Sequence, residues 1–198
     1  MGTRFLTAVF ADGRYRVAQY GQWDGYPEGA GVNILHFLRD ELDERLFRTE
    51  LGKLRWADSE KLRELSRRFG ADEDGFISIE DHNRLKRTFP EFHRDTGEDI
   101  LRLIQKGGVL SGVLRNDIDF AGDSLFCEWA YVVDFDARVL EVYQGYNKEP
   151  LDASERFAQL PHDGKYYPVK LKASYWLDGL PSDEGFLAVL GNDDEEDE

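Results

Sequence analysis

Two runs rich in β-branched and aromatic residues, RFLTAVF at 4–10 and RYRVAQY at 14–20, flank the dipeptide Asp12-Gly13. That dipeptide readily takes the left-handed backbone of a tight hairpin turn, so the chain is committed at its start to an antiparallel strand pair. The first run is apolar on both faces, which predicts a strand covered on two sides, whereas Arg14 and Arg16 on the second point one face of it toward water.

After the hairpin the chain changes character. Residues 21–31 (GQWDGYPEGAG) break both the strand and the helix period, and Ile34, Leu35, Leu38, Leu42 and Leu46 then recur on one face of a helix. Helices are further expected near 60–69, 79–89 and 96–105, the last with Thr96 and Asp99 spaced as a capping box. The two-residue period returns in EWAYVVDF at 128–135, where Trp129, Tyr131, Val133 and Phe135 share a face, and the Asp136-Ala-Arg turn leads into VLEVY at 139–143. A strand at 166–171, begun or edged by Pro168, and a short helix near 182–190 complete the pattern. Strands at both ends around a helical middle predict an α+β fold, with hairpins forming one or two sheets packed on the middle helices. The predicted organisation is one domain over 1–191 and a disordered acidic tail over 192–198.

Charge narrows the partners. The formal net charge is −15, and a surface of that sign repels phosphate backbones and anionic lipid, which argues against nucleic acid and membrane and in favour of a basic protein wherever bulk electrostatics drives association. The tail (NDDEEDE, 192–198) repels itself out of compact structure and would solubilise the chain or dock on such a partner. No run approaches the roughly 20 apolar residues that a membrane span needs. One cysteine, Cys127, cannot form an internal disulfide, and no signal-like segment opens the sequence, so a reducing cytoplasm is the expected location.

The densest collection of binding chemistry is Tyr20-Gly-Gln-Trp-Asp-Gly-Tyr-Pro27. Glycine and proline allow a sharp bend, and within it lie an amide, a carboxylate and three large aromatics, which is the mixture a small-ligand site uses. The alternative is that Trp23 and Tyr26 plug the end of the core while Asp24 caps a turn. A pocket between this loop and the strand at 127–131 would take stacking area from Tyr20, Trp23, Tyr26 and Trp129. Its polar contacts would come from Arg4, Gln22, Asp24 and Glu128. A second cluster, Asp119 to Trp129, adds Asp119, Asp123 and Cys127, the cysteine reading as a packing residue because nothing nearby lowers its pKa. His36, His82, His93 and His162 have no metal-ligand spacing to one another.

FGADEDGFISIED at 69–81 resembles an EF-hand calcium loop, with Asp72, Asp74 and Ser78 as candidate ligands, Gly75 at the turn and Asp81 at the last position. Gly70 stands where the first aspartate belongs, and Asp81 is shorter than the glutamate that grips calcium with two oxygens. The expectation is therefore no cofactor, with calcium the one ion the loop could admit and an acidic turn capping the next helix as the alternative.

Met-Gly-Thr-Arg at the start, the 20–27 loop, His93-Arg-Asp-Thr-Gly97, Gly122-Asp-Ser-Leu-Phe-Cys-Glu-Trp-Ala-Tyr-Val-Val-Asp134 and Gly145-Tyr-Asn-Lys-Glu-Pro150 together resemble a family of uncharacterised proteins in bacteria and their phages, with relatives in fungi. The resemblance covers nearly the whole chain and implies no particular activity. In layout the chain is also similar to N-terminal-nucleophile hydrolases, which open on a short strand bearing the nucleophile and stack two antiparallel sheets between helices. That similarity implies an αββα sandwich and an amidohydrolase with Thr3, Arg4 and Asp24 as catalytic residues. Methionine removal would expose Gly2, which has no nucleophile, so Thr3 would act only after further trimming. Three readings follow: a small-molecule or peptide-binding protein, an amidohydrolase of that kind, and an acidic protein that occludes a basic partner.

Overall fold

The structure is a computed structural model that describes residues 2–70 and 78–191. Strand β1 (Phe5–Ala11) turns through Asp12 and Gly13, both at positive φ, into β2 (Arg14–Gly21). Asp136 accepts the backbone N–H groups of both turn residues at 3.1 and 2.8 Å, so the turn at 136–138 clamps the turn at 12–13. Strands β5 (Trp129–Asp134) and β6 (Val139–Gln144) form the second hairpin, and β7 (Lys170–Trp176) is one edge, opposite β2. The five lie in the order β2-β1-β5-β6-β7, antiparallel except that β1 and β5 run parallel in the centre.

Each face of this sheet carries its own core, because β1 is apolar on both sides. Phe5, Val9, Tyr131, Val133 and Leu140 pack against Ile34, Phe37, Phe47, Ile100, Ile104 and Phe186 from the helices. These come from α1 (Val32–His36) and the π-helical turn Phe37–Glu41 that continues it, and from α2 (Glu44–Gly52), α5 (Ile100–Gln105) and α6 (Asp183–Leu190). On the reverse face Leu6, Ala8, Ala130, Val132 and Tyr143 pack against Ala121, Phe157 and Val169, which belong to segments of little regular structure. Arg156 fixes that outer layer to the sheet by bonding Asp134 and Glu141. A third cluster of Leu65, Phe69 and Leu85 joins α3 (Ser59–Arg68) to α4 (Ile79–Thr88). Two-residue strands β3 (Arg55–Trp56) and β4 (Val113–Leu114) pair in parallel beside it.

The architecture is α+β. The αββα sandwich is not formed among the described residues, since the larger sheet is mixed and single and the other is only two residues wide in each strand. The helix expected to carry Leu42 and Leu46 on its apolar face ends at Glu41, and Leu42 is extended. Asp43 then caps α2 by accepting the Leu46 N–H at 2.9 Å, so Phe47 turns inward and Leu46 is left 41% exposed. Thr96 does not form its capping box, because its hydroxyl donates instead to the Pro90 carbonyl, and Gly97–Asp99 is a 3₁₀ turn leading into α5. Arg16 does not face water either: its guanidinium bonds Asp12 and the Leu51 carbonyl, at 11% side-chain exposure. The strand placed at 166–171 begins at Lys170, as Val169 N–H and the Pro168 carbonyl bond Ala121 and Asn147 instead. No helix of the described residues is long and apolar enough to cross a membrane.

Candidate functional site

The outer edge of β2 would expose unpaired backbone groups, and chain segments from elsewhere cover it. Asp117 N–H donates to the Ala18 carbonyl, the Asp117 carboxylate accepts the Tyr20 N–H, and Gln22 N–H donates to the Arg94 carbonyl. These contacts hold three stretches, residues 19–20, 91–94 and 115–120, around a cleft of about 400 Å³. Apolar walls come from Tyr20, Phe92 and Phe120, the rings of Tyr20 and Phe120 meeting edge to face at 4.9 Å. Polar groups come from Gln19, His93, Arg94, Arg115, Asp117 and Asp119, with Glu91 enclosed in the wall.

The burial of these groups sets their charge. Burial pushes the Asp117 carboxyl up from its ordinary value, opposed by Arg115, whose guanidinium lies 2.7 Å away. Burial likewise raises the Tyr20 phenol while the Arg4 and Arg94 guanidiniums oppose the rise. Tyr20 therefore stays a neutral donor, and its hydroxyl donates to Gln22 at 2.6 Å. His93 is held below its usual range by burial, with Asp95 opposing. Its Nδ1 accepts the Asp95 N–H at 3.2 Å, so the neutral ring carries its proton on Nε2. Burial would raise Asp95, but Lys86, His93 and the Trp23 N–H together hold the carboxyl below its ordinary value. Glu91 accepts two bonds from Ser111 through Oε1, and its buried Oε2 has no partner among the described residues.

The residues selected from sequence do not converge on one hollow. Of them, Tyr20 and, from the second cluster, Asp119 line the cleft, and Gln22 holds the Tyr20 hydroxyl. Trp23 is 48% exposed and donates to Asp95, one residue past the cleft wall. Asp24, at φ 56°, accepts from the Tyr26 hydroxyl, and both face outward. Thr3 and Arg4 extend the lead into β1: the Thr3 carbonyl accepts the Gly25 N–H, and Arg4 exchanges bonds with Glu128 through its backbone. The Arg4 guanidinium covers the Phe126 ring at 4.5 Å. Trp129 packs on the helical core, on the sheet face opposite Cys127. The Cys127 thiol is raised far above its ordinary value, by burial and by Asp123 and Glu128, so it is an inert packing group.

In the loop that resembles an EF-hand, Asp72 and Asp74 lie outside the described residues. Ser78 caps α4 by accepting the Asp81 N–H at 3.1 Å, and Asp81 pairs with Arg84 at 2.8 Å. Among the described residues no group of three or more His, Cys, Asp and Glu side chains could hold a metal ion. His93, Arg94, Arg115, Asp117 and Phe120 had no signal of their own, although His93 opens one of the motifs that carry the family resemblance. Comparison with family models, curated proteins and solved structures gave no match.

Proposed function

We propose that the protein binds a small molecule in the cleft along the outer edge of β2. One observation carries this reading: polar groups from three stretches far apart in sequence, at Tyr20, at His93 and Arg94, and at Arg115 and Asp117, converge with two phenylalanines on one cavity of about 400 Å³. That volume is within the range of ligand sites, which are typically about 300–1,000 Å³ with a few placed polar groups in apolar walls. Two of the motifs that carry the resemblance to the bacterial and phage family each bring residues to this cleft, Tyr20 from 20–27 and His93 with Arg94 from 93–97, and we take the chain to be kin to that family.

The test is thermal denaturation against a panel of metabolites, amino acids and short peptides. A ligand that binds only the folded state at 100 times its Kd stabilises by about 2.7 kcal/mol, which is about 5–11 °C in a chain of this length. Phe120→Ala and Arg94→Gln should remove the shift for whichever compound produces it. If the shift survives both substitutions, the ligand sits elsewhere and the reading fails.

A further inference from the structure

The wall of the cleft carries charges of both signs that the fold does not use up. Arg115 and Asp117 answer each other at 2.7 Å. Arg94 is exposed, and its pair with Asp95 is long, at 3.9 Å, because Asp95 is already held by the Lys86 ammonium at 3.1 Å and the Trp23 indole at 3.2 Å. On the 115–120 stretch the exposed Asp119 carboxylate has no partner among the described residues. Glu91 is a second free acceptor: the residue is fully buried, Ser111 donates to its Oε1 at 2.5 Å, and its Oε2 has no partner among the described residues.

These groups ask for opposite things. A guanidinium matches a carboxylate in shape and charge, and neutral His93 adds an Nε2 donor next to it in the chain. Asp119 and Glu91 ask instead for a donor, best a charged one, since an acceptor enclosed without a partner is costly. A purely anionic ligand would be repelled by the two carboxyl groups, and a purely cationic one would leave Arg94 without a counter-ion. The rest of the wall is aromatic, with Tyr20, Phe92 and Phe120 offering contact to an apolar body.

We propose that the ligand is a zwitterion with an apolar body, of the α-amino-acid type, with its carboxylate at Arg94 and His93, its ammonium at Asp119 and Glu91, and its side chain on Phe92 and Phe120. This deepens the reading of the cleft as a small-molecule site and rests on it. An α-amino acid carries an anion, a cation and an apolar group close together, which are the three kinds of partner that this wall leaves open. Hydrogen bonds to charged groups are the strong ones, so each charged end should contribute about tenfold or more to affinity.

The experiment is titration calorimetry of the full chain with phenylalanine and leucine, each beside two truncated forms. Phenethylamine and 3-methylbutylamine keep the ammonium alone, and 3-phenylpropanoate and 4-methylpentanoate keep the carboxylate alone. Wild type should bind at least one of the amino acids about tenfold or more tighter than either of its truncated forms. Arg94→Gln should weaken that amino acid about tenfold and leave its amine unchanged, whereas Asp119→Asn, at an exposed side chain that holds no other group, should weaken it about tenfold and leave its acid unchanged. An amine that binds as tightly as its parent would overturn the carboxylate assignment, and an acid that does so would overturn the ammonium assignment; the cleft would stand in both cases. Losses equal for parent and truncated forms would mean that Arg94 and Asp119 do not meet the two charges, and the assignment would fall. If no amino acid binds while another compound of the metabolite panel stabilises the protein through Phe120 and Arg94, the zwitterion is refuted alone. If nothing binds in either experiment, both readings fall.

Discussion

Replacing Arg156 with methionine tests how the irregular outer layer is held on the sheet. Arg156 bonds Glu141 at 2.6 Å and Asp134 at 2.5 Å, and the three side chains are 17%, 16% and 5% exposed. These are charge-assisted bonds in a partly desolvated setting, and removing one partner of a buried pair costs about 3–5 kcal/mol, because the other charge stays behind uncompensated. Several contacts survive the substitution. Asp134 keeps the N–H groups of Asp136 and Ala137, and Glu141 keeps the Tyr143 hydroxyl. Methionine also retains part of the packing over the Phe10 ring, which the guanidinium now covers at 5.2 Å. The expected loss is therefore at the low end, about 3 kcal/mol, or a melting temperature lower by about 6–12 °C at this chain length. Urea unfolding followed by tryptophan fluorescence measures it, and Arg156→Lys should fall between, since one ammonium cannot make both bonds in the same geometry. A loss below about 1 kcal/mol for the methionine variant would mean that the pair is screened like a surface contact, and the argument that it anchors the layer would be wrong.

Three further outcomes follow from the geometry. Tyr131→Phe removes a buried hydroxyl that donates to the Gly25 carbonyl at 2.8 Å; leaving that carbonyl orphaned should cost about 1–3 kcal/mol in urea unfolding. Gly145→Ala would put a methyl 2.2 Å from the Cys127 carbonyl and 2.7 Å from that of Ser124; backbone must move, and about 1–3 kcal/mol of destabilisation is expected in the same assay. His93 is depressed by burial below its ordinary 6.5, so between its folded value and 6.5 the unfolded chain binds more protons and stability rises with pH. Acidification from 7 into that window should lower the urea midpoint of wild type, and His93→Gln should show a shallower slope there; equal slopes would mean that the imidazole is not desolvated.

The two hairpins were legible because their causes are local. Asp12-Gly13 selects its turn from two residues, and alternation at Trp129–Phe135 sets which side chains meet the helices, Trp129, Tyr131, Val133 and Phe135. The same locality explains α3 and α6, which start at Asp58 and Ser182 with the side-chain caps their residue types favour. Thr96 shows where local reading stops: its hydroxyl had a local use in a capping box and a distant one at Pro90, and the distant one won. Arg16 was drawn inward by the Leu51 carbonyl, an acceptor 35 residues away that no periodicity announces.

The site illustrates the same division. The aromatic loop at 20–27 attracted notice by composition, and it does flank the cleft, but its Trp23, Asp24 and Tyr26 face outward because the backbone of the loop is spent on Thr3, Arg94 and its own turn. What sequence alone determined was the α+β class, the first strand apolar on both faces and most helix starts, all set by side chains acting within a few residues of one another. Only the tertiary structure decided that β5 runs parallel to β1, that both hairpins join one five-stranded sheet, and that Arg94 and Arg115 line one cleft beside Tyr20. Those outcomes depend on which distant groups satisfy the open edge of β2 and fill the space above each sheet face, and such pairings leave no periodic trace along the chain.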